Sequence, residues 1–134
     1  MSGETDLEKL LQGMKPELNK GEYVYCTVNS LQHAAALNPI GIFQEQEAVT
    51  IILPKHQADE AELPYSIICA WITLTVHSSL EAVGLTAAVS KALTDANISC
   101  NMVAAFYHDH IFVPMKDTSQ AMDILVKLTK QDNL

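Results

Sequence analysis

Apolar residues recur along this chain at two alternating spacings, and the alternation marks out its elements. Leu7, Leu10, Leu11 and Met14 fall at helical intervals behind a capping pair, Thr5 and Glu8. A short helix is therefore predicted over residues 6–14. Lys15-Pro16 ends it, because the residue before a proline avoids the helical region. The run YVYCTV at residues 23–28 is dense in aromatic and β-branched types and predicts a strand. Residues 31–37 leave room for a short helix before Asn38-Pro39. Two strands are predicted at 40–44 and 48–53, around a polar tip of Glu45, Gln46 and Glu47. Pro54 stops the second, and residues 55–63 predict a short polar helix.

The later part of the chain carries stronger signals. Residues 67–76 (IICAWITLTV) are apolar at successive positions, which predicts a central strand covered on both faces. Leu85, Ala88, Val89, Ala92, Leu93 and Ala96 form one apolar stripe, so a long helix is predicted over 84–96 with Asn97 as its terminal cap. Strands are predicted at 98–105 and 110–113 with a turn near His108-Asp109. Ala121, Ile124, Leu125 and Leu128 give the buried stripe of a last helix, whose start is framed by Asp117 and Gln120.

The halves repeat. TIILPK at 50–55 and HIFVPMK at 110–116 each close a hairpin on a proline, 60 positions apart; TVNS at 27–30 and TVHS at 75–78 each end a strand, 48 positions apart. The offsets differ by 12 residues, about three helical turns. One βαββα plan used twice, with the first helix truncated in the first copy, accounts for that difference. The expected fold class is α+β, a ferredoxin-like βαββαβ sandwich in two tandem halves, residues 1–63 and 64–134. A last strand for the second half is not evident after its helix, and a strand from the first half is expected to complete that sheet.

Composition narrows the function. With 8 Lys and Arg against 16 Asp and Glu, the net charge is −8, which disfavours nucleic acid as a partner. No apolar run reaches the roughly 20 residues a membrane crossing requires, and the acidic start lacks a signal core, so a cytoplasmic location without membrane association is expected. Cys26, Cys69 and Cys100 are odd in number and lack a C-x-x-C spacing, which suits packed thiols in a reducing compartment. The five glycines are scattered and form no phosphate loop. No triad can be read from residue order, so no catalytic residue and no cofactor are expected. His108 and His110 with His77 would give three ligands and an open position, which suits zinc, but a histidine-bearing hairpin tip is ordinarily solvated, so they are not read as metal ligands; His33 and His56 are expected to be exposed.

The stretch from Leu74 to Asp117 resembles an ACT domain: a strand ending at Val76, a loop ending in Gly84-Leu85, a helix carrying Leu93, and Ile98 opening the next strand. The hairpin AFYHDHIFVP is similar to the subgroup holding aspartate-kinase regulatory domains and animal arginine sensors. The whole chain resembles a bacterial family of small tandem-ACT proteins. Val83 departs from the pattern, since many members have proline there, and the loop from His77 to Gly84 is longer than usual.

The resemblance implies a regulatory module that binds a small molecule, an amino acid by family habit, at the strand-to-helix loop. The positions are His77, Ser78, Ser79, Glu81, Val83, Gly84 and Leu85, with Asn101, Met102 and Val103 on the adjacent strand. The chemistry suits them. Free amides at a helix start receive a carboxylate, serine hydroxyls add bonds, and Glu81 can hold an ammonium. Gly84, lacking a Cβ, allows close approach. The resemblance also implies a homodimer and a separate enzyme as the regulated partner. The competing expectation is an oligomerisation module that works without a ligand.

Overall fold

The computed structural model describes residues 6–76 and 84–130. In chain order the elements are α1 (Leu7–Gly13), β1 (Lys15–Leu18), β2 (Tyr23–Val28), α2 (Leu31–Ala36), β3 (Gly41–Gln44), β4 (Val49–Pro54) and α3 (Lys55–Glu60). They continue with β5 (Cys69–Thr75), α4 (Leu85–Asp95), β6 (Asn101–Ala104), β7 (Asp109–Pro114), a 3-10 turn at Met115–Asp117, and α5 (Thr118–Leu128). Contacts group them into two compact units. One is Gly21–Cys69; the other joins the chain up to Lys20 with the chain from Ala70 onward.

In the Gly21–Cys69 unit the strand order is β3-β4-β2, all antiparallel. Val24, Cys26 and Val28 pair with Leu53, Ile51 and Val49, so alternate residues of both strands share one face. That face is buried against Ala34 of α2 and Ala58 of α3. The two helices have six residues each, which leaves a single small side chain per helix fully buried.

The other unit has the strand order β1-β5-β7-β6. Its core joins Ile72 and Leu74 of β5 and Ile111 and Val113 of β7 to Leu85, Val89 and Leu93 of α4 and Ala121 and Leu125 of α5. Leu10 of α1 reaches the same core. Burying one leucine or isoleucine of this kind contributes about 1.5–3 kcal/mol. The 11-residue helix α4 stands where the first repeat has the six-residue α2, so the first copy's helix is truncated as expected, by five of the 12 residues in the offset. The halves even end these helices alike. Asn97 adopts φ 61°, its amide reaching Thr94 O at 2.8 Å and the next amide reaching Leu93 O at 3.0 Å, which is a Schellman closure. Asn38, at φ 49°, closes α2 in the same sense.

The missing last strand of the second repeat is β1. Lys15 to Leu18 runs antiparallel to β5, with Lys15 opposite Thr75 and Leu18 opposite Ile72. Pro16 is tolerated because a strand at the rim of a sheet can do without an inward amide.

Several local expectations are corrected. Asp6 caps α1, accepting from the Lys9 amide at 3.3 Å, and Thr5 lies outside the described residues. β5 alternates: Ala70, Ile72 and Leu74 are buried while Trp71, Thr73 and Thr75 are half-buried, because helices cover only one face of this unit's sheet. The strand expected from Ile98 begins at Asn101, since the Schellman closure occupies the residues before it. The β6–β7 turn sits at Phe106-Tyr107, closed by Ala105 N to His108 O at 3.1 Å, and not at His108-Asp109. Asp117 makes no side-chain cap to α5.

Candidate functional site

The two strand-to-helix junctions of the repeats are built differently. In the first repeat Ser30 caps α2, its hydroxyl accepting from the His33 amide at 3.0 Å. The junction is therefore closed by its own side chain. In the second repeat Gly84 stands at the cap position of α4, at φ 106°, and no side chain among the described residues caps the helix. Only glycine adopts that backbone without strain. A Cβ on Gly84 would meet Leu7 Cδ2 of α1 at 3.3 Å, so the turn is also held close by the N-terminal helix.

His77, Ser78, Ser79, Glu81 and Val83 lie outside the described residues. Leu85 is buried in the core and Met102 is packed against it. Asn101 is on the opposite face of β6, its side-chain amide donating to Phe112 O at 3.1 Å. Val103 stands opposite His110 on that same face and is 38% exposed. β6 is separated from β5 by β7, so these three residues stand one strand away from the strand that feeds the loop. Gly84 and Leu85 are thus joined directly to the junction, and Asn101 and Val103 belong to the face of the sheet turned away from its helices.

That face, on which Phe112 is buried, carries a polar cluster absent from the expected site. The Trp71 indole N–H donates to His110 Nδ1 at 3.0 Å, and Thr73 Oγ1 is 3.1 Å from the same nitrogen. The Asn19 side-chain amide donates to Thr73 Oγ1 at 2.9 Å and to Trp71 O at 3.2 Å. Trp71 stacks on Phe112 at 6.2 Å. Burial holds the His110 ring below the ordinary histidine value, His108 adds to this, and Asp109 opposes it. Burial also pushes the Asp109 carboxyl above the usual carboxylate range, against the pull of His110 and His108. His108 Nδ1 is buried with no hydrogen-bond partner in the structure. The sequence signal for this cluster is the Trp71, Thr73, Thr75 alternation inside an otherwise apolar run.

The remaining titratable groups point away from nucleophilic chemistry. Burial raises all three thiols, so each stays protonated at neutral pH. No group of three His, Cys, Asp or Glu side chains suited to a metal occurs among the described residues. An open hollow of about 300 Å³ lies by the far end of α4, lined by Thr94, Asn97, Ile98, Ser99 and Cys100. His33 and His56 are exposed, as expected. No helix among the described residues is long and apolar enough to cross a membrane.

Comparison with known proteins places this architecture. The ACT domain model matches twice, over residues 2–70 and over residues 66–127. A Vibrio cholerae protein of unknown function, described as a possible transport protein, has 48% identity and a TM-score of 0.84, covering 92% of this chain and 95% of its own. A protein from Agrobacterium tumefaciens shares the fold at 15% identity and a TM-score of 0.71, over 87% of this chain and 89% of its own. So does the ligand-free regulatory subunit of aspartate kinase from Thermus thermophilus, at 10% identity and a TM-score of 0.59, over 87% and 98%. No curated protein matches the sequence. With an ACT domain matched over each repeat, the chain belongs to the ACT-domain family and carries two such domains in tandem.

Proposed function

We propose that this chain is a non-catalytic regulatory module that binds an amino acid at the junction of β5 with α4, in the second repeat (residues 64–134). The observation that supports this reading is the contrast in capping. Ser30 occupies the start of α2, whereas Gly84, at the cap position of α4, has no side chain with which to occupy it. A helix start of that kind favours a carboxylate through its amides and dipole. Ser78, Ser79 and Glu81 supply the hydroxyls and the carboxylate that a zwitterion needs on its other side. Val83 and His77 flank them, and the first repeat (residues 1–63) serves as the degenerate partner domain. Family membership supports the amino-acid class without fixing it, and any signal passes to a separate enzyme in this reading.

The test is thermal unfolding of the full chain against each of the twenty amino acids at millimolar concentration. One of them is expected to raise Tm by several degrees, since a hundredfold excess over Kd stabilises by about 2.7 kcal/mol. Ser79→Ala together with Glu81→Gln is expected to abolish the shift. A flat response across the whole set overturns the proposal.

A second reading rests on a separate observation. β3 is the outer strand of its unit, carries no charge, and exposes Ile42 at 41% and Phe43 at 71% on opposite faces. Uncharged rim strands of this sort pair with another chain. That favours a homodimer joined through β3, and light scattering on Phe43→Glu checks it: a drop to monomer mass is expected, and an unchanged mass rejects it.

A further inference from the structure

One hydrogen bond at His110 has a fixed direction. The Trp71 indole donates to His110 Nδ1, while Thr73 Oγ1, which accepts from Asn19, stands 3.1 Å from the same nitrogen. An indole N–H is a donor only. Nδ1 must therefore be an acceptor, which fixes the ring as neutral with its proton on Nε2. We propose that the His110–Trp71 contact is a pH-sensitive latch on the face of this sheet turned away from its helices: a proton arriving at Nδ1 turns the acceptor into a donor and expels the indole.

The consequence is specific to Trp71. Thr73 Oγ1 has a lone pair to offer an Nδ1–H, so that contact survives with Nδ1–H as the donor. Trp71 Nε1 has none, and two N–H groups at 3.0 Å repel. The indole then leaves its place over Phe112, while Asn19 keeps its bond to Trp71 O through the backbone. The groups facing the ring are accounted for strand by strand. His108 and Asp109 lie on its own strand, with opposite influence on its charge. β5 presents Trp71 and Thr73, neither of them charged. β6 presents Val103 opposite it. β1 presents Glu17, opposite Thr73 and accepting from Thr75 Oγ1 at 3.0 Å. The neutral ring is thus favoured at pH 7 and charges only under mild acid.

Trp71 is the single tryptophan in the sequence, so its emission reports the latch directly. Titrating the full chain from pH 8 to 4.5 is expected to give one transition in tryptophan emission, with a midpoint below the ordinary histidine value of about 6.5. Far-UV circular dichroism is expected to stay constant through it. His110→Asn keeps an acceptor oxygen near the position of Nδ1 and is expected to remove the transition. His108→Asn is expected to raise its midpoint and Asp109→Asn to lower it. A transition that persists in a folded His110→Asn, or none in the wild type, overturns the proposal. Should His110→Asn fail to fold, ring nitrogen shifts of the wild-type protein decide the matter at pH 8. The Nε2–H tautomer is expected, and the Nδ1–H tautomer overturns the latch.

Discussion

The two repeats fill one plan with different amounts of helix, and the difference falls at the same place in both. The first has a six-residue α2 closed by Ser30, and a core in which Ala34 is its one buried helical residue. The second has an 11-residue α4 entered through Gly84, with Leu85, Val89 and Leu93 all buried. A short helix that satisfies its own end has little left to offer a ligand. A longer helix, anchored in a deeper core, can keep its start open. Duplication thus yields one copy whose junction is closed by a serine cap and one whose junction passes through a left-handed glycine into a helix anchored along its length by three buried residues.

Core truncation gives the largest effect that sharpens this comparison. Leu93→Ala, at a fully buried site in the larger core, is expected to cost about 2–5 kcal/mol, and Leu53→Ala in the smaller core a similar amount. Urea unfolding followed at Trp71 and by circular dichroism tells whether one truncation unfolds both units. Coincident transitions in both variants would show that the division into units is not energetic. Next comes Gly84→Ala, which forces a left-handed backbone on a residue with a Cβ and crowds Leu7; about 1–3 kcal/mol of lost stability is expected in the same assay. If Gly84→Ala is neutral, the turn is not held as described and the contrast between the junctions fails. Ser30→Ala, which strips the cap from α2, is expected to cost about 1 kcal/mol.

The smallest effect concerns Asp109. Its folded carboxyl is raised by burial, so between the unfolded value near 3.8 and that raised value the folded state holds more protons. Stability from this group is therefore lost as pH rises through the window and stays lost at neutral pH. Asp109→Asn is expected to raise Tm slightly at pH 7 and to show no gain below about pH 3.8, measured by thermal melts across pH. The opposite sign holds for His110. Its folded value is lowered, so its stabilisation is complete above about 6.5 and declines as pH falls toward the folded value.

Much of this fold could be read from residues, and what could not has a physical reason. The repeat was legible because proline stops and strand ends are local signals, and Pro54 and Pro114 do end β4 and β7. The long helix was legible because six aliphatics share one face. β1 was not, since KPEL has no strand signal of its own and becomes a strand only by pairing with β5. The aromatic turn was displaced for a related reason. Phe106 and Tyr107 are 74% and 77% exposed, against the habit of large aromatics, so the polar pair beside them attracted the assignment. Of the candidate site, Gly84 was visible as a glycine before a helix. The Trp71–His110 cluster was not, because it joins residues 39 positions apart through strand pairing that no single segment encodes.

The strand formed by Lys15–Leu18 has a consequence for how the molecule is made. It leaves the ribosome early, yet its partner, β5, is synthesised only after the whole Gly21–Cys69 unit. The middle of the chain is therefore complete while the first segment is still waiting with an unsatisfied rim. Anything that grips the waiting segment in that interval, such as a bulky fusion at the amino end or a binding peptide that mimics β5, would stall the second repeat.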